Sequence, residues 1–176
     1  EYDIENVVVK NAIDKDKTIA LAESCTGGLI GDRVTNIDGS SKVFKGSMVV
    51  YSNKAKIDLL GVNKNTLDSF GSVSEEVARE MANNVRKTFL TDYGLSVTGV
   101  AGPGGGTENK PVGLVYIGLS DENKTEVQRF NFSSDRKKNK LKTSQVALDW
   151  LRIKLINEWK ANSNISFDSC PKGGAF

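Results

Sequence analysis

Apolar positions recur along the chain with two different periods. Val77, Met81, Val85 and Phe89 stand every fourth residue behind Ser74, with Glu75 and Glu76 beside it. That spacing predicts a helix that opens at Ser74 and lays one face on a sheet. Residues 18–22 are instead a short apolar run ending in Glu23-Ser24-Cys25-Thr26-Gly27-Gly28. This reads as a buried strand that feeds a turn and then a helix beginning near Gly28. Residues 48–51 end a second strand that rises out of 43–46, and Asn53 is placed to cap a short helix through about Leu60. Residues 95–100 and 112–119 read as strands joined by a glycine-rich loop, and 126–132 alternate well enough to pair with the second of them. A final helix is expected from about Asp135 to Trp159, with Leu141, Leu148, Leu151 and Leu155 on one face and Lys137, Lys138 and Lys142 on the other.

Helices and strands alternate early, while the last two strands are neighbours. An α/β fold follows, a three-layer α/β/α domain with a mixed, largely central sheet. Apolar periodicity stops near Ala161, so one domain over 1–160 and a polar, disordered tail over 161–176 are expected. A hydrophobic share of 38% and a charged share of 26% suit one ordinary domain. Lys and Arg number 24 against 22 Asp and Glu, and a net charge of +2 argues neither way on nucleic acid. No stretch approaches the roughly 20 apolar residues of a membrane span, and residues 1–10 lack a signal-peptide pattern. Neither a nucleic-acid nor a membrane partner is expected. With only Cys25 and Cys170 there is no disulfide framework, so a reducing, cytoplasmic setting is the expectation. Since the sequence opens on Glu1, an organelle is the alternative if a targeting segment has been removed.

Histidine changes the picture most, because there is none. Ser-His-Asp and Cys-His catalysis and His-ligated zinc are excluded, leaving Lys, Tyr or carboxylates for proton transfer. No metal or other cofactor is expected, since paired cysteines and tight carboxylate clusters are absent too. Three segments can carry chemistry. In Glu23-Ser24-Cys25-Thr26-Gly27-Gly28 a hydroxyl and a thiol stand side by side before a helix N-terminus, which can hold a phosphate or an oxyanion. The alternative is an ordinary strand-to-helix turn. In Tyr51-Ser52-Asn53-Lys54-Ala55-Lys56 a phenol ends a strand and an amine sits in the next helical turn, where dipole and burial would both lower the Lys56 pKa. The alternative is a solvated lysine face. The loop holding Gly102, Gly104, Gly105 and Gly106 lets backbone amides approach an anion, or is simply a flexible connection. Arg129 and Arg136 flank a strand-to-helix turn as candidate phosphate or carboxylate ligands, or as surface charges.

Taken together, these segments are closely similar to the CinA C-terminal domain family. The likeness is carried by Ala22-Glu23-Ser24-Cys25-Thr26-Gly27-Gly28, Tyr51-Ser52-Asn53 with Lys56 and Leu60-Gly61-Val62, and Gly71-Ser72-Val73-Ser74-Glu75. It continues through Thr98-Gly99-Val100-Ala101-Gly102-Pro103 and Lys110-Pro111-Val112-Gly113, and covers roughly residues 4–157. The resemblance implies a nicotinamide mononucleotide deamidase, an amidohydrolase that turns the carboxamide into a carboxylate and releases ammonia without a metal. It also implies Ser24 as nucleophile, assisted by Lys56 and Tyr51, and a homodimer. Amides near Cys25, Thr26 and Gly27 are then the expected oxyanion donors, and loop 102–106 with Arg129 or Arg136 the expected seat of the nucleotide. Ser134-Asp135-Arg136 followed by Lys140 departs from the family's Gly-Asp-Arg and second Arg, which removes a bidentate fork at that second position. Many bacterial members also carry an N-terminal domain of molybdopterin-binding type, which this sequence does not contain. A rival reading from another class is a ligand-binding or interaction module that keeps the pocket without turnover.

Overall fold

The computed structural model describes residues 3–162, and within them strand alternation decides what each layer contains. In β1 (Ile19–Glu23), Ile19 and Leu21 turn to one face of the sheet while Ala20 and Ala22 turn to the other. The first face is covered by α1 (Ile4–Asp14), α2 (Leu29–Thr35) and α6 (Arg136–Asn162), which contribute Val8, Val9, Ile30, Val34, Leu148 and Leu151 to one core. The second face is covered by α3 (Asn53–Asp58), α4 (Lys64–Phe70) and α5 (Glu75–Phe89), whose Leu67, Val77, Met81 and Val85 close a second core. Burying each such side chain contributes about 1.5–3 kcal/mol, so both layers are held by the sheet between them.

With β2 (Phe44–Val49), β3 (Tyr93–Gly99), β4 (Leu114–Ser120) and β5 (Thr125–Asn131), the sheet has the order β2-β1-β3-β4-β5. β1 pairs in parallel with both β2 and β3, placing Leu21 between Ser47 and Leu95. β4 runs antiparallel to β3 and β5 antiparallel to β4. The result is the mixed, three-layer α/β/α domain read from the sequence. Among the described residues no helix is long and apolar enough to cross a membrane.

Details differ from the sequence reading. The cap of α3 is Ser52, whose hydroxyl accepts from the Ala55 amide at 3.0 Å, and Asn53 is the first helical residue. On α6 the inward stripe is polar over its first turns, where Asn139, Thr143 and Ser144 are buried, and apolar from Ala147 onward. Leu141 falls at the margin of that stripe and is exposed. Two helices left no clear signal. The β-branched run Val7-Val8-Val9 masks α1, which forms because it packs on α6. The seven residues of α4 are too few for a period and are fixed by their ends, with the Asn63 side chain accepting from the Asn65 amide. α6 continues to Asn162, and the expected tail beyond it lies outside the described residues.

Candidate active site

Because β2, β1 and β3 run parallel, their carboxyl ends share one edge of the sheet, the edge where α/β folds place ligands. Ser24, Tyr51 and the glycine-rich loop all leave from it. They enclose a pocket of about 270 Å³ lined by Ser24, Tyr51, Lys56, Thr98, Gly102 and Arg136 among others, with no acidic residue in its wall.

Strand alternation carries past the end of β1. Glu23 emerges on the α2 side with Ile19 and Leu21, whereas Ser24 emerges toward α3 and meets Lys56. The Lys56 Nζ lies 3.0 Å from Ser24 Oγ, 2.9 Å from the Val50 carbonyl oxygen and 3.4 Å from that of Tyr51. The lysine is 1% exposed and the serine 7%. Among the described residues no carboxylate pairs with this amine, and burial holds its pKa below the ordinary lysine range. Desolvation is the cause of this lowering. A neutral amine has two N–H donors and one lone pair. As an ammonium Lys56 donates to Ser24 Oγ; deprotonated, with the two carbonyls taking its donors, it would turn its lone pair to the Ser24 hydroxyl.

Cys25 points into the core beneath and is 5% exposed. Burial pushes its thiol up to about 12, so it carries no charge at neutral pH and is a poor nucleophile there. The helix N-terminus beyond it is occupied by the chain's own carboxylate. Glu23 Oε2 accepts from Thr26 Oγ1 at 2.7 Å, the Gly28 amide at 3.0 Å and the Ile30 amide at 3.1 Å. Oε1 accepts from the Gly31 amide at 2.8 Å and from Ser47 Oγ at 3.3 Å. The expected anion seat on α2 is thus filled from within. Thr26 and Gly27 lie outside the pocket lining, and the Gly27 amide is spent on the Ser24 carbonyl at 3.1 Å. Cys25 alone of the three lines the pocket, and its own backbone N–H faces its thiol. Sequence reading missed Glu23, although a carboxylate ending an apolar strand was a visible signal.

The opposite wall is tied together by the first turns of α6. Arg136 Nη1 donates to the Gly102 carbonyl at 2.7 Å and its Nη2 donates to the Tyr51 Oη at 2.8 Å. The phenol of Tyr51 is thereby aimed by an arginine, while only its backbone carbonyl reaches Lys56. Accepting from Arg136 leaves the phenol's own O–H available to a ligand. Asn139, fully buried and also missed, donates to the Ala101 carbonyl at 3.1 Å and the Ser134 carbonyl at 2.8 Å. Thr98 Oγ1 donates to the Ser72 carbonyl at 2.6 Å, joining β3 to the turn before α5. Of the loop glycines, Gly102, Gly104 and Gly105 line the pocket and Gly106 does not. Arg129 is a correction: it lies exposed on edge strand β5, opposite Tyr116, and is no part of the pocket. Lys140 places its ammonium beside Gly27, one turn beyond Arg136. Among the described residues no three Cys, Asp or Glu side chains converge as a metal cage.

Residues 1–155 match the family model described as the CinA C-terminal domain. A Clostridium perfringens protein named as competence-damage inducible is 52% identical over 155 residues, which are 88% of this chain and 38% of that protein. A CinA-like protein of Endomicrobium trichonymphae is 52% identical over 153 residues, 87% of this chain and 36% of that protein. The chain thus spans less than two-fifths of the length of these relatives. The crystal structure of the competence/damage inducible protein CihA from Agrobacterium tumefaciens superposes with a TM-score of 0.83 at 37% identity, covering 89% of this chain and 97% of that one. A CinA superfamily protein from Klebsiella pneumoniae gives 0.84 at 27% identity, covering 88% and 96%.

Proposed function

The chain belongs to the CinA C-terminal domain family, and on that premise we propose that it is an amidohydrolase converting nicotinamide mononucleotide to nicotinate mononucleotide and ammonia. The observation that carries this reading is the buried Ser24–Lys56 pair, in which a lysine without a carboxylate partner stands 3.0 Å from a hydroxyl. Burial favours the neutral amine over the ammonium, and a neutral lysine can activate a serine without histidine.

In the proposed reaction the neutral Lys56 amine takes the Ser24 proton as Oγ bonds to the carboxamide carbon. Negative charge moves to the carboxamide oxygen, for which the backbone of Cys25, on the pocket wall, would be the donor. As the tetrahedral adduct collapses, the C–N bond breaks and the lysine returns its proton to the leaving nitrogen, which departs as ammonia. Lys56 then accepts a proton from water as the water oxygen attacks the acyl-serine. Cleavage of that ester restores Ser24 and releases the carboxylate. The phenol of Tyr51, held by Arg136, can donate to the substrate at the pocket rim. The absence of acidic lining residues and the presence of Arg136 suit a substrate that carries a phosphate.

The test is ammonia release from nicotinamide mononucleotide, with the nucleotide product followed in parallel. Equimolar ammonia and nicotinate mononucleotide are expected from the wild-type protein and not from Ser24→Ala. Binding of the nucleotide without release of either product would instead mark the chain as a ligand-binding module.

A further inference from the structure

One wall of the pocket begins beside the nucleophile and leads outward. The Ser24 amide donates to the Val97 carbonyl, residues 98–102 line the pocket, Arg136 holds the Gly102 carbonyl, and Gly104 and Gly105 continue the lining. The glycines along this wall are explained in different ways. At Gly102 φ is +89° and a β-carbon would stand 2.5 Å from a Val112 methyl carbon. At Gly106 a β-carbon would come within 2.9 Å of the Val112 backbone nitrogen, and Gly105 sits at φ +82°. Each of these positions excludes a side chain on grounds internal to the fold.

Gly104 does not. Its φ lies outside the left-handed region, and a β-carbon there would meet no atom within 4 Å. Neither backbone conformation nor packing asks for glycine, yet Gly104 borders the pocket. We infer that Gly104 is a specificity-determining position, where the volume a side chain would fill is taken by the part of the substrate beyond its carboxamide. The inference rests on the amidohydrolase reading for the identity of that substrate. Glycine at a position that tolerates alanine leaves the unfolded chain more freedom, so it lowers stability with no gain in packing. A residue that weakens the fold while bordering a pocket points to the ligand as its reason.

Gly104→Ala and Gly104→Val test this, with Gly102→Ala as the control that the fold should reject. Three readouts are needed: the melting temperature, its rise on adding nicotinamide mononucleotide, and kcat and KM for ammonia release. Gly104→Ala should melt at or above the wild-type temperature, whereas Gly102→Ala should melt below it. Gly104→Val should raise KM by about 10-fold or more, the cost of methyl groups placed in a substrate's volume, with a smaller change in kcat. It should lose most of the ligand-induced rise in melting temperature. A Gly104→Val protein with wild-type KM and wild-type ligand response overturns the inference and leaves the amidohydrolase reading standing. So does a Gly104→Ala protein as destabilised as Gly102→Ala. If the wild-type protein is stabilised by the nucleotide but releases no ammonia, the amidohydrolase reading falls while the ligand response still decides the role of Gly104. If it does neither, both fall.

Discussion

Glu23 and Ser24 are adjacent, both are buried, and the polar environments on their two sides of the sheet are opposite in kind. The carboxylate meets five donors and closes the N-terminus of α2. The hydroxyl meets one amine that has no acid beside it among the described residues. One side is saturated and therefore structural; the other is undersupplied with negative charge and opens on a pocket. A helix N-terminus beside a nucleophile reads as an anion site in sequence, but once a carboxylate from the preceding strand fills it, the anion must be met elsewhere. The backbone at Cys25 and Arg136 across the pocket are what remain.

The sharpest way to break this contrast is to remove the Ser24 hydroxyl. Ser24→Ala should lower kcat/KM for ammonia release by at least ~10³-fold, the scale on which a lost serine nucleophile acts. On the saturated side, Glu23→Gln replaces an acceptor with a donor facing other donors. Loss of charge-assisted bonds in a buried site should cost about 2–3 kcal/mol in denaturant unfolding, and a variant as stable as wild type would show that the α2 cap does little. Arg136→Lys keeps the charge but cannot hold Gly102 and Tyr51 with one planar fork. A KM raised about 10-fold is expected, the equivalent of one hydrogen bond to a charged group, and an unchanged KM would remove Arg136 from substrate binding. The smallest effect belongs to Cys25→Ala, which should stay within a few-fold of wild type, because the thiol is held neutral and the proposed reaction draws only on the backbone there.

How much of this was legible beforehand varies with what fixes each part. The helix behind Ser74 announced itself because Val77, Met81 and Val85 repeat at the helical period and all are buried. The sheet's mixed character followed from the spacing of its strands. Ser24, Tyr51 and Lys56 were singled out from residue type and position, and the structure brings all three to one pocket. Hidden was the partner of each group. That the Tyr51 phenol belongs to Arg136 and its carbonyl to Lys56 depends on a contact 85 residues away in sequence. Arg129 looked as good a ligand as Arg136, and only the strand pairing that puts β5 at the sheet edge separates them. Asn139 was unreadable because a buried asparagine on a lysine-rich turn has the pattern of a solvated one.

The central claim is that Lys56 works as a neutral base, and the pH dependence of kcat/KM in wild type and Lys56→Arg tests it most directly. Burial disfavours the ammonium form, so the amine loses its proton at a lower pH than a free lysine. The neutral fraction, and with it the rate, then rises with pH along a limb that lies below the ~10.4 of free lysine. A guanidinium keeps its proton throughout this range, so Lys56→Arg should lose at least ~10²-fold and the limb with it. Lys54→Arg, on an exposed side chain paired with Asp58, should match wild type. A folded Lys56→Arg enzyme that keeps a substantial share of the rate with its limb unmoved would contradict the account and leave Tyr51 as the base.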